Sequence, residues 1–473
     1  MVLKKRYDAA VIGSGPAGVR AAVQCAKKGK KVVVIDRREY KLGGVSLHTG
    51  TIPSKTLREA VFYLKGMRRR KIYGKSRRFD DNIRLEDLLE RVDVILSHEL
   101  KIINSQLNAN GVDVIYGQAS FAGNHTLEVI NRWEDPIAII TADIIFIATG
   151  TIPRHPEDVP FDFKTILDSN FIFSHKSKVE KLPGSLIVYG AGVIGSEYAA
   201  MFAALGSKVW LMDNHKQLFP FVDRKIITVL REQMEQMGIK IMLGTGYKEM
   251  SVTPGGSGRI VTDDGTVVEA DAILFSKGRV PCVDPLNLDK IGVELTERKC
   301  IRVDEHYRTT VENIYACGDV IGFPALASTS AEQGRLAARF SLNLKAESHP
   351  ELLPVAIYTI PEISLIGKTE QQLIGENIPY EKGLAYYYEI SKAAISGDDT
   401  GLIKILFHPG TRRLLGVHII GDQAAEILHI GQLLMAFNGT IDYFIRNVFN
   451  YPTWAEGYKI AALNGLNRLK TKE

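Results

Sequence analysis

Cysteine is scarce in this chain. The four present, Cys25, Cys282, Cys300 and Cys317, are scattered through 473 residues. None pairs with another in a CxxC or zinc-type spacing, which excludes a disulfide framework and a structural zinc site. The histidines are equally dispersed, so no metal site is expected. Free thiols suit a reducing compartment, and a cytoplasmic protein is expected. Long apolar runs are also missing: none approaches the roughly 20 residues that span a bilayer, so no membrane partner is expected. Charge of one sign is not in excess. Lys and Arg number 59 against 54 Asp and Glu, a net charge of +5, too small to mark a polyanion binder. The one basic run, Arg68-Arg69-Arg70-Lys71 with Lys75, Arg77 and Arg78, reads as a solvated face. No aromatic residues interleave it as a base-stacking surface requires, and no nucleic-acid partner is expected. No secretory signal is expected either. Lys4-Lys5-Arg6 leads directly into a strand that the next motif requires.

Glycine is where the information lies. Gly13-Ser14-Gly15-Pro16-Ala17-Gly18 follows an apolar strand over 8–12 and opens a helix over 17–28. A second apolar strand, 31–35, closes on Asp36, about 20 residues past the motif, as a dinucleotide fingerprint requires. The pattern returns as Gly190-Ala191-Gly192-Val193-Ile194-Gly195. It lies between a strand over 186–189 and a helix over 196–205, and a strand over 208–212 closes on Asp213. Such glycines allow a tight turn and bring backbone N–H groups to a pyrophosphate at a helix N-terminus, while the acid accepts a hydrogen bond from a ribose hydroxyl. Two such units in one chain imply two dinucleotides.

The rest of the chain is α/β. At this length roughly three domains are expected. A helix follows the segment 50–55. Another covers 84–110, with Leu85, Leu88, Leu89, Val92 and Leu96 on one stripe, and stops at Gly111. Strands are expected over 112–116, 126–130, 137–141 and 143–148, the last ending in Ala148-Thr149-Gly150. Beyond the second unit come a helix over 223–237, a strand over 239–243 and a strand over 272–276. Ile314-Tyr315-Ala316-Cys317-Gly318-Asp319 reads by itself as a strand ending in a turn; after two dinucleotide units, Asp319 is expected to hold the polyol chain of a flavin. Leu326-Ala327 opens a helix whose positive end suits the charge of a reduced flavin. From about His349, strands (403–407, 413–420) alternate with helices (424–437, 454–469).

The order of these motifs, with Gly278-Arg279-Val280-Pro281 between them, resembles the two-dinucleotide-binding flavoproteins of the glutathione reductase and dihydrolipoamide dehydrogenase family. The resemblance covers nearly the whole chain. It implies two Rossmann-like dinucleotide-binding domains plus a C-terminal α+β dimerisation domain. The boundaries it suggests are 1–152 for FAD, 153–275 for NAD(P), 276–345 for a return to the central domain and 346–473 for the interface. It implies FAD on the first unit, NAD(H) and NADP(H) as substrates on the second, and a homodimer or larger homo-oligomer. By the same resemblance the cofactor-binding residues are Gly13, Gly15, Gly18, Asp36, Gly44, Thr51, Lys55, Gly117, Thr149, Gly150, Gly190, Gly192, Gly195, Asp213, Gly278, Asp319 and Ala327.

The departures from that family carry the functional reading. Its disulfide enzymes hold two cysteines in a GGxCxxxxCxPSK pattern; here those places are Ser46 and Thr51. They also place a His before Pro-Thr near the C-terminus; here it is Tyr451, with Glu456 retained behind it. Two hydroxyls form no two-electron couple, and the group that would protonate thiolates is gone with the thiols. The strings Gly50-Thr51-Ile52-Pro53-Ser54-Lys55, Tyr358-Thr359-Ile360-Pro361-Glu362 and Phe449-Asn450-Tyr451-Pro452-Thr453 resemble the branch that exchanges hydride between nicotinamide nucleotides. In that branch Lys55 approaches the flavin and pairs with Glu197, so these two are the candidate catalytic residues. Asp213 favours NAD(H), while His215 and Lys216 offer charge to a 2′-phosphate. The competing expectation is a diaphorase passing electrons to a quinone or dye.

Overall fold

The apolar run before the first glycine motif forms β1 (Leu3–Ile12), and the motif turns the chain into α1 (Pro16–Ala26) and β2 (Val32–Asp36). The computed structural model describes residues 2–69, 85–171, 181–345 and 352–470. Arg70, Lys71, Lys75, Arg77 and Arg78 of the basic run lie outside these residues. Next come α2 (Gly44–His48), α3 (Thr51–Arg69), α4 (Leu85–Ala109), β3 (Asp113–Tyr116), β4 (Gln118–Gly123), β5 (Thr126–Ile130) and β6 (Pro136–Ile147). The sheet order is β3-β2-β1-β6-β5-β4, and a later strand also pairs with β6. Every residue of β2 is buried, which is why it reads as an unbroken apolar run rather than an alternating one.

Two expectations are corrected by the structure, and two elements are added to them. Residues 137–141 and 143–148 are not two strands but the single strand β6. Its first half pairs antiparallel with β5 and its last residues pair parallel with Ile314–Ala316. At Ala142, whose N–H bonds His125 O at 2.9 Å, the neighbour changes while the strand continues. The helix read as following Gly50–Lys55 begins inside that segment, at Thr51, so Lys55 lies in its second turn. The short helix α2 and the strand β4 were not anticipated. Gly43, with φ of 103°, starts α2 in a backbone region that favours glycine.

The second unit is built alike. After β7 (Thr151–Pro153) and β8 (Ile166–Asp168) come β9 (Ser185–Tyr189), α5 (Val193–Leu205), β10 (Lys208–Asp213), α6 (Arg224–Gln236) and β11 (Lys240–Leu243). A three-stranded meander, β12 (Tyr247–Val252), β13 (Gly258–Thr262) and β14 (Val267–Ala270), leads to β15 (Ala272–Phe275). The parallel order is β11-β10-β9-β15-β8. The chain leaves the first unit through β7 and returns through β16 (Arg279–Pro281), and these two pair antiparallel as a double strap. It then adds β17 (Ile314–Ala316) to the first sheet and runs into α7 (Ala327–Ser341). Gly334 of α7 sits so close to α1 that an added Cβ would meet Ala17 O at 2.0 Å.

The C-terminal unit holds an antiparallel sheet. Its strands are β18 (Val355–Ile357), β19 (Ile363–Gly367), β20 (Glu381–Tyr386), β21 (Leu402–Phe407) and β22 (Leu414–Ile420). The helices are α8 (Glu370–Gly375), α9 (Ser391–Ser396), α10 (Ala424–Ala436), α11 (Asp442–Arg446) and α12 (Glu456–Lys470). The last begins at Glu456 rather than at Trp454. A buried charge cluster ties this unit to the second one. Asp223 caps α6 by accepting from Lys225 N, and Lys404 donates to both its oxygens at 2.9 and 2.8 Å. The Lys404 ammonium also bonds Glu370.

Candidate active site

The three glycines of the first motif divide the work. Gly13 has φ of +106°, and a Cβ there would fall 2.3 Å from Ala148 O, so only glycine makes this turn. A Cβ on Gly18 would strike Gly13 O at 1.9 Å, so its absence lets α1 pack on the loop. A Cβ on Gly15 would meet nothing within 4 Å. That leaves open space at the bare N-terminus of α1, a place with the geometry of an anion site. Asp36 secures the turn: its carboxylate accepts from Ser14 N at 3.0 Å, from Ser14 Oγ, and from Arg38 N at 2.9 Å.

A cleft opens from this loop over the carboxyl ends of β1 and β2, where ligands of doubly wound sheets bind. Of the residues read from sequence, Gly13, Gly15, Asp36, Gly44, Thr51, Gly117, Thr149, Gly150, Asp319 and Ala327 line it. Thr149 Oγ1 is buried and finds no hydrogen-bond partner among the described residues. A buried hydroxyl left this way is costly, and a polar ligand in the cleft resolves it. Asp319 accepts from Ser330 Oγ at 3.2 Å and from Thr151 Oγ1 at 3.3 Å. Arg279 then clamps Thr151, donating to its hydroxyl and its carbonyl at 2.8 Å each. The lining fits a dinucleotide: helix-end amides to donate to phosphates, acids to accept from hydroxyls, and a second helix start at Ala327.

The second loop repeats the division of labour. Gly190 has φ of +114° and its Cβ would crowd Ser276, a Cβ on Gly195 would meet Gly190 O at 1.9 Å, and a Cβ on Gly192 would meet nothing within 4 Å. Asp213 accepts from Ala191 N at 2.7 Å, as Asp36 does from Ser14. It also accepts from His215 N at 2.8 Å and lies 2.7 Å from His215 Nδ1. Burial opposes its charge, yet these donors and Lys277 outweigh burial and hold its pKa below the usual carboxylate value. Gly278, with φ of +90°, immediately precedes the strap strand β16.

The two positions where the resembled disulfide enzymes carry cysteines lie on the same cleft. Ser46 on α2 and Thr51 at the start of α3 both line the cleft. One turn along α3, Lys55 Nζ sits 2.6 Å from Glu197 Oε2 on α5. Glu197 is buried, and its second oxygen accepts from Tyr358 N at 2.8 Å. The Tyr358 ring lies under the Lys55 ammonium, 4.8 Å from it. Elements of all three units therefore converge on one ammonium. Lys55 itself lies beside the cleft rather than among its lining residues. His48, between the two hydroxyl positions, bonds Leu42 O at 2.8 Å, and burial lowers its pKa.

A family profile described as pyridine nucleotide-disulphide oxidoreductase matches residues 7–334, and the dimerisation domain of the same family matches residues 353–462. The chain belongs to the pyridine nucleotide-disulphide oxidoreductase family. Within that family it is 44% identical over 467 residues to a protein of Mycobacterium bovis BCG named soluble pyridine nucleotide transhydrogenase, covering 98% of each chain. A protein of the same name from Photobacterium profundum is 41% identical over 474 residues, again covering 98% of each. Among solved structures, LpdA of Mycobacterium tuberculosis matches with a TM-score of 0.87 at 25% identity, covering 98% of this chain and 99% of that one. The HOCl-induced flavoprotein disulfide reductase RclA of Escherichia coli matches with a TM-score of 0.85 at 26% identity, covering 97% and 99%.

This member of the pyridine nucleotide-disulphide oxidoreductases carries no disulfide: all four cysteines are free. Two of them, Cys282 and Cys317, line the cleft. Burial pushes the Cys317 thiol up to about 12 and also raises Cys282, where Arg37 and Arg279 oppose the shift. Neither is poised as a thiolate. Tyr451 is exposed and its hydroxyl lies 2.8 Å from Ser391 Oγ, while Glu456 Oε2 is buried and unpartnered among the described residues. The sequence reading missed Tyr358 and Arg279 as site residues, although both stand in motifs it quoted. It missed Lys277 altogether. Among the described residues no cluster could hold a metal, and no helix is long and apolar enough to cross a membrane.

Proposed function

We propose that this chain moves hydride between NADPH and NAD⁺ by way of a bound FAD, with no thiol couple. One observation carries the reading. The two nucleotide loops and the Lys55–Glu197 pair are intact, while both thiol positions are the hydroxyls of Ser46 and Thr51. The near full-length similarity to proteins named soluble pyridine nucleotide transhydrogenase supports it.

FAD supplies the two-electron chemistry when bound; the protein supplies binding, orientation and charge. The open space at Gly15 and the amides of α1 would hold the pyrophosphate. Asp36 offers its remaining lone pairs to a ribose hydroxyl. Asp319 and Thr149 would hold its hydroxyl-bearing chain, and the start of α7 at Ala327 would offer positive charge to its ring system. Gly192 and Asp213 do the corresponding work for NAD(H) and NADP(H). Lys55, fixed by Glu197, keeps positive charge beside the reacting centre. Exchange of hydride needs no net proton, so no general acid is required where Tyr451 stands.

The functional units are 1–152, 153–275, 276–345 and 346–473. The last supplies a self-association surface. Leu433, Phe437, Tyr443, Val448 and Tyr451 are exposed there in a single chain, and exposed apolar side chains gathered in one unit suit a self-association surface. A homodimer covers it. The test is an anaerobic assay with NADPH and thio-NAD⁺ and no other acceptor. Reduced thionicotinamide should accumulate, with parallel double-reciprocal lines in the two substrates. NADPH oxidation that occurs only when a quinone or dye is added means a diaphorase instead.

A further inference from the structure

The second loop holds a cation that comes from far along the chain. Lys277 stands just past β15, separated from Asp213 by 64 positions. In the sheet, β10 and β15 lie on either side of β9. Lys277 therefore reaches back across the end of β9, over the turn at Gly190. Its ammonium is 5.4 Å from the centroid of the Tyr189 ring, 3.2 Å from Asp213 Oδ1, and bonded to Asn214 Oδ1. Asp213 Oδ1 is thus shared among Lys277, the His215 amide and the His215 ring. Lys277 is only one-quarter exposed, whereas His215 is 72% exposed. Lys216, the other cation expected here, is exposed.

A carboxylate at this place favours an unmodified ribose and repels a 2′-phosphate. A lysine already bound to that carboxylate changes the balance. Its charge offsets the repulsion, and its three donors serve Asp213 and a phosphate oxygen together. We propose that Lys277 is the residue that admits a 2′-phosphorylated adenosine ribose to the second loop. NADPH is then held through Lys277 with help from His215, and NADH through Asp213. This deepens the proposed exchange between the two nucleotides and rests on the second loop being their site.

The test is calorimetric titration of the FAD-containing protein with 2′,5′-ADP and with 5′-AMP, which differ in the 2′-phosphate and undergo no redox chemistry. Lys277→Met should weaken 2′,5′-ADP roughly ten- to hundredfold, the loss expected of one charged hydrogen bond. It should leave 5′-AMP within about twofold, a change inside the scatter of such contacts. Lys277→Arg should keep most of the preference. Equal weakening of both nucleotides overturns the proposal, because Lys277 then only shapes the loop. No change in either also overturns it. If wild-type protein binds neither nucleotide, the nucleotide reading of the second loop falls first, and this inference with it.

Discussion

Lys55→Met is expected to slow single-turnover reduction of the flavin by NADPH on the order of a hundredfold, the usual effect of removing one preorganised charge. The reason is the way this ammonium is held. Glu197 grips it at 2.6 Å, the Tyr358 ring lies beneath it, and the Tyr358 amide fixes the other oxygen of Glu197. The charge cannot drift as a surface lysine would. Anaerobic stopped-flow, monitored at the flavin band, measures the step directly. Lys55→Arg keeps the charge but not its place, and should recover part of the rate. A purely structural pair predicts a different pattern: a lower melting temperature for Lys55→Met and an unaltered reduction rate. That pattern rejects the role assigned to Lys55.

Lys404→Met should cost about 3–5 kcal/mol of stability, the range for removing one partner of a buried ion pair. Lys404 is buried to 1% between Asp223 and Glu370, which come from different units of the chain. Without it the buried Asp223 carboxylate loses both of its bonds to an ammonium, while Glu370 keeps only Lys382 and Tyr380. Urea unfolding followed by circular dichroism reads the loss. If the midpoint does not move, the cluster contributes nothing to holding the units together.

The same cluster sets a pH dependence whose sign follows from its geometry. Burial works to raise the pKa of Glu370, but Lys382 and Lys404 outweigh it and hold the group at about 2. Asp223 is also held below its ordinary value, against burial, by His418 and Lys404. Unfolded carboxylates titrate near about 4. Their contribution is therefore complete above about pH 4.5 and is lost as pH falls toward about 2. His418 adds in the same direction. Burial lowers its pKa, so the folded state resists its protonation and loses stability as pH drops below about 6.5. In Lys404→Met the carboxylate part of this acid sensitivity should shrink.

What could be read from sequence was what lies close in sequence. The glycine loops, their flanking strands and their closing acids Asp36 and Asp213 are local patterns, and the structure places each at its loop. The start of α3 at Thr51 was hidden because Pro53 looks like an interruption, yet it sits within the first turn, where proline costs least. The unbroken strand at Ala142 was hidden because periodicity shows which face is buried, not which strand lies alongside. Contacts across the chain were out of reach: Tyr358 to Glu197 spans 161 positions and Lys404 to Asp223 spans 181. The Lys55–Glu197 pair spans 142 and was foreseen only through the family resemblance.

The claim beneath all of this is that one flavin is the whole redox centre. Anaerobic titration of the purified protein with dithionite, counting electrons per FAD, tests it most directly. Full bleaching should require two electrons per FAD, with no long-wavelength thiolate–flavin band on the way. Uptake of four electrons, or the appearance of that band, would mean that a sulfur couple shares the charge, contradicting the account.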